Sequence, residues 1–103
     1  MRVTLSLDKT APPPEPVRVR RSDSLRPVVV ATVLDGPDEY DMTGATVTFR
    51  CGGEEVECSV SGAAATFAPP APARTSPGHL RIETDDLVAT TQDMIVEVVD
   101  DGD

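Results

Sequence analysis

Cys51 and Cys58, seven positions apart, are the side chains with the most versatile chemistry in the chain. A pair of thiols can close a disulfide, bind zinc or supply a nucleophile. Val47 and Phe49 precede Cys51 at alternate positions, and Val56 and Val60 bracket Cys58 in the same way, so both cysteines are expected on the inward face of their strands. Two inward cysteines flanking one hairpin are either buried free thiols or a geometrically demanding cross-strand disulfide. A cytosolic origin keeps them reduced. Zinc wants about four ligands, and the single histidine, His79, falls on the solvent side of its strand. No cofactor or metal is expected.

The loop holding Asp35, Asp38, Glu39 and Asp41 has two readings. It is a solvated, self-repelling loop or a calcium site, which takes six or more oxygens; its spacing matches no calcium loop. Catalysis has little footing. One histidine, no Ser-His-Asp set and no glycine-rich phosphate loop leave the roles of an active site unfilled, so no catalytic residue is assigned and an enzyme is not expected.

Arginines make the more informative surface. Arg18 and Arg20 alternate with Val17 and Val19, and Arg21 and Arg26 follow closely. Charges on an edge strand protect it against aggregation; they also serve as a docking surface. Arg18, Arg20, Arg21 and Arg26 are therefore the candidate partner-binding residues.

Composition bounds what these residues can serve. A chain of 103 residues with 39% hydrophobic residues is expected to be a single domain, 1–103. Tyr40, Phe49 and Phe67 are its only aromatics, so the core must be built from Val, Leu, Ile and Ala. Net charge is −9, unevenly spread: residues 1–34 carry +3 and residues 35–103 carry −12. An acidic majority argues against nucleic acid. No run of about 18 apolar residues exists to span a membrane, and the N-terminus has no secretory h-region. Synthesis in a bacterial cytoplasm is expected, with exit only inside a larger assembly.

The elements that position these side chains read as strands. Residues 1–8 form a first strand with Val3, Leu5 and Leu7 on one face, and residues 9–16 form a proline-rich connector. Residues 17–99 make the sandwich body and residues 100–103 an acidic tail. Within the body, VRVR, PVVVATVL, ATVTFRC, EVECSV, AAATF, HLRIE and LVATTQDMIVEVV alternate or run apolar between turn signals, with Gly52-Gly53 closing a hairpin. Residues 69–78, with four prolines, read as a loop. The expected core is Val47, Phe49, Val56, Val60, Phe67, Leu80, Ile82, Val96 and Val98. The fold class is all-β, an antiparallel immunoglobulin-like β-sandwich of seven to nine short strands.

The stretch PVRVRRSDSLRPVVVATVLDGPDEYDMTGATVTFR, residues 16–50, resembles the N-terminal domain of phage baseplate upper proteins of Gram-positive hosts. That family shows a valine-rich strand ending in a polar-Asp turn, a long apolar strand, and a loop closing on Asp-Leu-Thr-Gly-Ala-Thr-Val-Xaa-Phe. Asp23 matches the turn; Asp41, Thr43, Gly44, Ala45, Thr46, Val47 and Phe49 match the closing motif, with Met42 for the leucine. RVTLSLD and SPGHLRIETDDLVATTQDMIVEVV resemble its first strand and last hairpin. The family's Pro-Asp-Gly turn is replaced by Cys51-Gly52-Gly53.

The resemblance implies a phage or prophage tail or baseplate subunit, working by contacts with other tail proteins or with another copy of itself, and a virion location once assembled. Family members continue into a part that carries receptor-binding proteins. This chain ends at Asp103, so an adaptor or decoration subunit is the expectation. The alternative is a bacterial cell-surface or adhesion module, which the missing signal sequence disfavours.

Overall fold

In the computed structural model, residues 1–20, 27–70 and 74–99 are described. They form β1 (Arg2–Ser6), β2 (Val17–Arg20), β3 (Val29–Asp35), β4 (Asp38–Glu39), β5 (Thr46–Cys51), β6 (Glu54–Glu57), β7 (Ser59–Ser61), β8 (Ala64–Phe67), β9 (Ser76–Glu83), β10 (Val88–Thr90) and β11 (Met94–Val99). There is no helix among the described residues. One sheet has the order β1-β3-β8-β7, with β4 added to β3; the other has the order β2-β11-β9-β5-β6, with β10 added to β9.

The two sheets pack face to face around residues of alternating parity. Val47, Phe49 and Cys51 point inward from β5, Leu80 and Ile82 from β9, Val29, Ala31 and Val33 from β3, and Val3 and Leu5 from β1, all buried. The rings of Phe49 on β5 and Phe67 on β8 stack across the interface, with centroids 4.3 Å apart and planes 18° apart. An offset aromatic pair of this kind adds about 0.5–1.5 kcal/mol beyond the area it buries. Val56, Val60 and Val98 are only partly buried, whereas Met42 and Met94, absent from the expected core, are 1% and 0% exposed.

Three expectations need correction. The sheets are mixed and not antiparallel throughout: β1 runs parallel to β3, and β2 parallel to β11. Side-chain alternation has the same period in either direction, so it carries no information on this point. The strand count is eleven among the described residues, in part because EVECSV is two strands. Glu54–Glu57 pairs with β5, and Ser59–Ser61 pairs with β8 in the opposite sheet. The inward parity survives the switch because both sheets face one core. Finally, β9 begins inside the expected loop, at Ser76, and includes Pro77. Pro77 lies one residue beyond the last β5 pair, Cys51 with Gly78, so its missing N–H costs no ladder bond on that flank.

The chain passes from one sheet to the other five times, at β1–β2 through the proline connector, at β2–β3, at β4–β5, directly at β6–β7, and at β8–β9. Gly52 and Gly53, at φ 59° and 84°, make the two-residue turn from β5 to β6, where both positions must be left-handed.

Candidate functional site

Among the described residues, β2 ends its sheet, with β11 on one flank only. Val17 and Val19 are buried at 1% and 0% exposure, which pins the strand and turns Arg18 and Arg20 outward. The main chain follows the same alternation. Val98 N–H donates to Thr75 Oγ1 on the β9 flank, so Ile95, Glu97 and Val99 address β2. Val17 and Val19, opposite Val96 and Val98, complete that parallel ladder, and the backbone groups of Arg18 and Arg20 face away from it. Arg18 Nε lies 3.7 Å from Glu97 Oε1, an exposed pair that sets the side chain's direction more than it stabilises the fold. Arg21 and Arg26 lie outside the described residues.

The cysteines are both free and buried. They sit at opposite ends of the β5–β6 hairpin. Cys51 pairs with Glu54, while Cys58 N–H donates to Val47 C=O, four residues back along β5. That separation is roughly 13 Å at the rise of a strand, about twice the reach of a disulfide. Burial raises the Cys58 thiol to about 12, with a backbone contact at Phe49 opposing and Glu57 adding to the shift. Burial, and then Glu54, also raises Cys51. Both remain neutral thiols at physiological pH, unlike the depressed groups of reactive cysteines.

The acidic loop is divided among local tasks. Asp35 pairs with Asp38 across the β3–β4 turn. Asp41 Oδ1 accepts from the Thr43 hydroxyl at 2.6 Å and the Thr43 N–H at 2.9 Å, which holds its carboxyl below its ordinary value. Asp8 does the same with Thr10, so Asp-Xaa-Thr caps a turn twice in this chain. Among the described residues no three His, Cys, Asp or Glu side chains converge on a metal-holding geometry. His79 faces outward, with Nδ1 3.7 Å from Asp93 Oδ1.

The residue that sequence reasoning missed is Gln92. It is 5% exposed and occupies the break between β10 and β11. Its Oε1 accepts from Ser6 N–H at 2.9 Å, and its own N–H donates to Ser6 C=O at 2.8 Å. Its Nε2 donates to the carbonyls of Ala11 and Pro12, at 2.9 and 3.2 Å. One side chain therefore ties the end of β1 to the proline connector. Thr91 works beside it, accepting from Leu80 N–H with Oγ1 at 3.1 Å and donating its own N–H to Leu80 C=O at 3.0 Å. The connector leaves a groove of about 640 Å³ against the outer face of β1 and β3, lined by Thr4, Thr32, Leu34, Pro12, Pro14 and Gln92. The signal in the sequence was faint: Gln92 is the only Gln in a chain without Asn, placed where alternation lapses.

The architecture is similar to that of the N-terminal domain of phage TP901-1 ORF48, with a TM-score of 0.72. The likeness covers 94% of this chain and 95% of that one at 14% sequence identity, and it is a likeness of fold. No protein-family model matches the chain, and no curated protein matches it in sequence.

Proposed function

We propose that this protein is a phage or prophage tail or baseplate subunit, an adaptor that acts by protein–protein assembly and not by catalysis. The observation that carries the reading is the end-to-end likeness of fold to a phage protein domain. It is supported independently by the Asp41–Phe49 motif, which resembles baseplate upper proteins. The motif has a structural use: Asp41 caps the turn, Met42 enters the core, and Gly44 at φ 83° leads into β5.

Assembly uses the β2 edge. Its outward arginines, with the outward backbone groups of Arg18, suit strand addition, in which main-chain bonds supply affinity and side chains choose register. The fold is read as a variant of the immunoglobulin-like sandwich whose first strand in each sheet is parallel to its neighbour. The thiols, neutral and buried, serve packing. Mass spectrometry of tail particles purified from a lysate of the source phage or prophage tests the reading: this chain is expected among the particle proteins, and its absence from every particle would overturn it.

A further inference from the structure

Among the described residues β10 pairs with β9 on one flank only, and every residue around it, 74–99, is described. Its ladder is fixed at both ends. Thr84 N–H donates to Leu87 C=O at 2.8 Å, and Thr91 N–H donates to Leu80 C=O at 3.0 Å. Bonded and unbonded pairs alternate in an antiparallel ladder, so Ala89 exchanges its main-chain bonds with Ile82 between these two. Val88 and Thr90 therefore turn their N–H and C=O groups away from β9. Gln92, the next residue of that parity, spends its N–H on Ser6 C=O, which closes the open stretch at that end.

The side chains add to this. Leu87 and Val88 are 52% and 51% exposed, beside the exposed carboxylates of Asp85 and Asp86. An open edge with adjacent exposed apolar side chains is a template for pairing. Past Thr90 lies a pocket of about 420 Å³ lined by Lys9, Pro13, His79, Thr90, Thr91 and Gln92. Lys9 brings a positive charge to it, and the carboxylate on its wall, Asp93, has Oδ1 3.7 Å from His79 Nδ1. The edge thus has free carboxylates at one end and an ammonium group at the other. Such an edge complements itself when turned through a two-fold axis.

We propose that β10 is a further interaction surface, on which two copies of this chain pair antiparallel about a two-fold axis at Ala89. Val88 then stands opposite the second copy's Thr90, and Thr90 opposite its Val88, each pair exchanging its open main-chain bonds. The same register carries the Asp85–Asp86 turn of each copy to the Lys9 pocket of the other and covers Leu87 and Val88. A parallel pairing would set the two acidic turns side by side, so charge selects the antiparallel one. The contact is isologous and closes at two copies. With an edge strand three residues long, it is a weak, concentration-dependent dimer. It lies apart from the β2 edge and does not rest on the tail reading.

Sedimentation equilibrium and amide exchange at rising protein concentration test this. Wild type is expected to pass from monomer to dimer below millimolar concentration, with the Val88 and Thr90 amides protected about tenfold or more as dimers fill. Lys9→Glu, and separately Asp85→Lys with Asp86→Lys, are each expected to weaken dimerisation about tenfold or more. The second variant also reduces the net charge of −9, so general repulsion falls and its weakening reports the local contact. Mixing the two variants restores dimers, because both charge pairs of the mixed dimer are then opposite in sign. If the double variant fails to fold, Asp86→Lys runs the same exchange, and Val88→Lys blocks pairing from an exposed position. A wild type that stays monomeric into the millimolar range overturns the proposal. So do Val88 and Thr90 amides whose exchange ignores concentration, open filaments in place of dimers, or variants that do not rescue one another.

Discussion

Gly78 on β9 lies directly beneath the ring of Phe49 on β5: a Cβ at position 78 would stand 2.5 Å from Phe49 Cζ and 3.0 Å from the Arg50 carbonyl oxygen. The glycine is there for space, since its backbone is not left-handed. Gly78→Ala is therefore expected to cost about 1–3 kcal/mol by overpacking. Phe49→Ala is expected to cost about 3–5 kcal/mol by leaving a cavity and unstacking Phe67. Denaturant midpoints measure both. A neutral Gly78→Ala would show that the Phe49 ring is free to move aside.

Gln92 is expected to act as the clamp between β1 and the proline connector. Gln92→Glu sets a carboxylate against the carbonyls of Ala11 and Pro12, which can only accept, and is expected to cost about 3 kcal/mol or more near neutral pH. The deficit shrinks in acid, where the new carboxyl takes up a proton and donates again. A deficit that does not change with pH would show that the connector is held by other contacts.

Cys58 gives the alkaline side of the stability profile. The unfolded thiol releases its proton at 9.0, whereas the folded one keeps it to about 12. The contribution is complete below 9.0 and is lost as pH rises toward 12, because the unfolded state then sheds a proton the folded state retains. The stability difference between wild type and Cys58→Ala is expected to be constant through neutral pH and to narrow above 9.0. Thiol reagent should find both cysteines blocked in the native protein and both free in denaturant without reductant. Fewer than two free thiols would show a disulfide that the hairpin register forbids.

Much of this structure was legible as parity. Val47, Phe49, Leu80 and Ile82 alternate with polar neighbours, and each is buried as that pattern implies. Gly52-Gly53 between two alternating runs marks its hairpin for a local reason, the need for two left-handed residues. What stayed hidden depends on distant partners. Gln92 bonds Ser6, 86 positions away. The parallel sense of β1 and β2 follows from which sheet the connector reaches, and the break at Cys58 leaves the inward pattern intact. The same limit applies to the candidate site. Arg18 and Arg20 were recognisable as an outward charged pair, but that their strand ends its sheet among the described residues emerged only from the strand order.

The central claim is assembly through the β2 edge, and incorporation tests it most directly. Wild type and the variant carrying Arg18→Glu and Arg20→Glu, each tagged and present at equal level in the same lysate, are followed through purification of tail particles. Wild type is expected to co-purify with the particles, and the double variant to stay in the soluble fraction while keeping its thermal transition, because exposed charges contribute little to stability. Equal incorporation of the two would contradict docking through β2, and absence of the wild type from every particle would contradict the tail-subunit account itself.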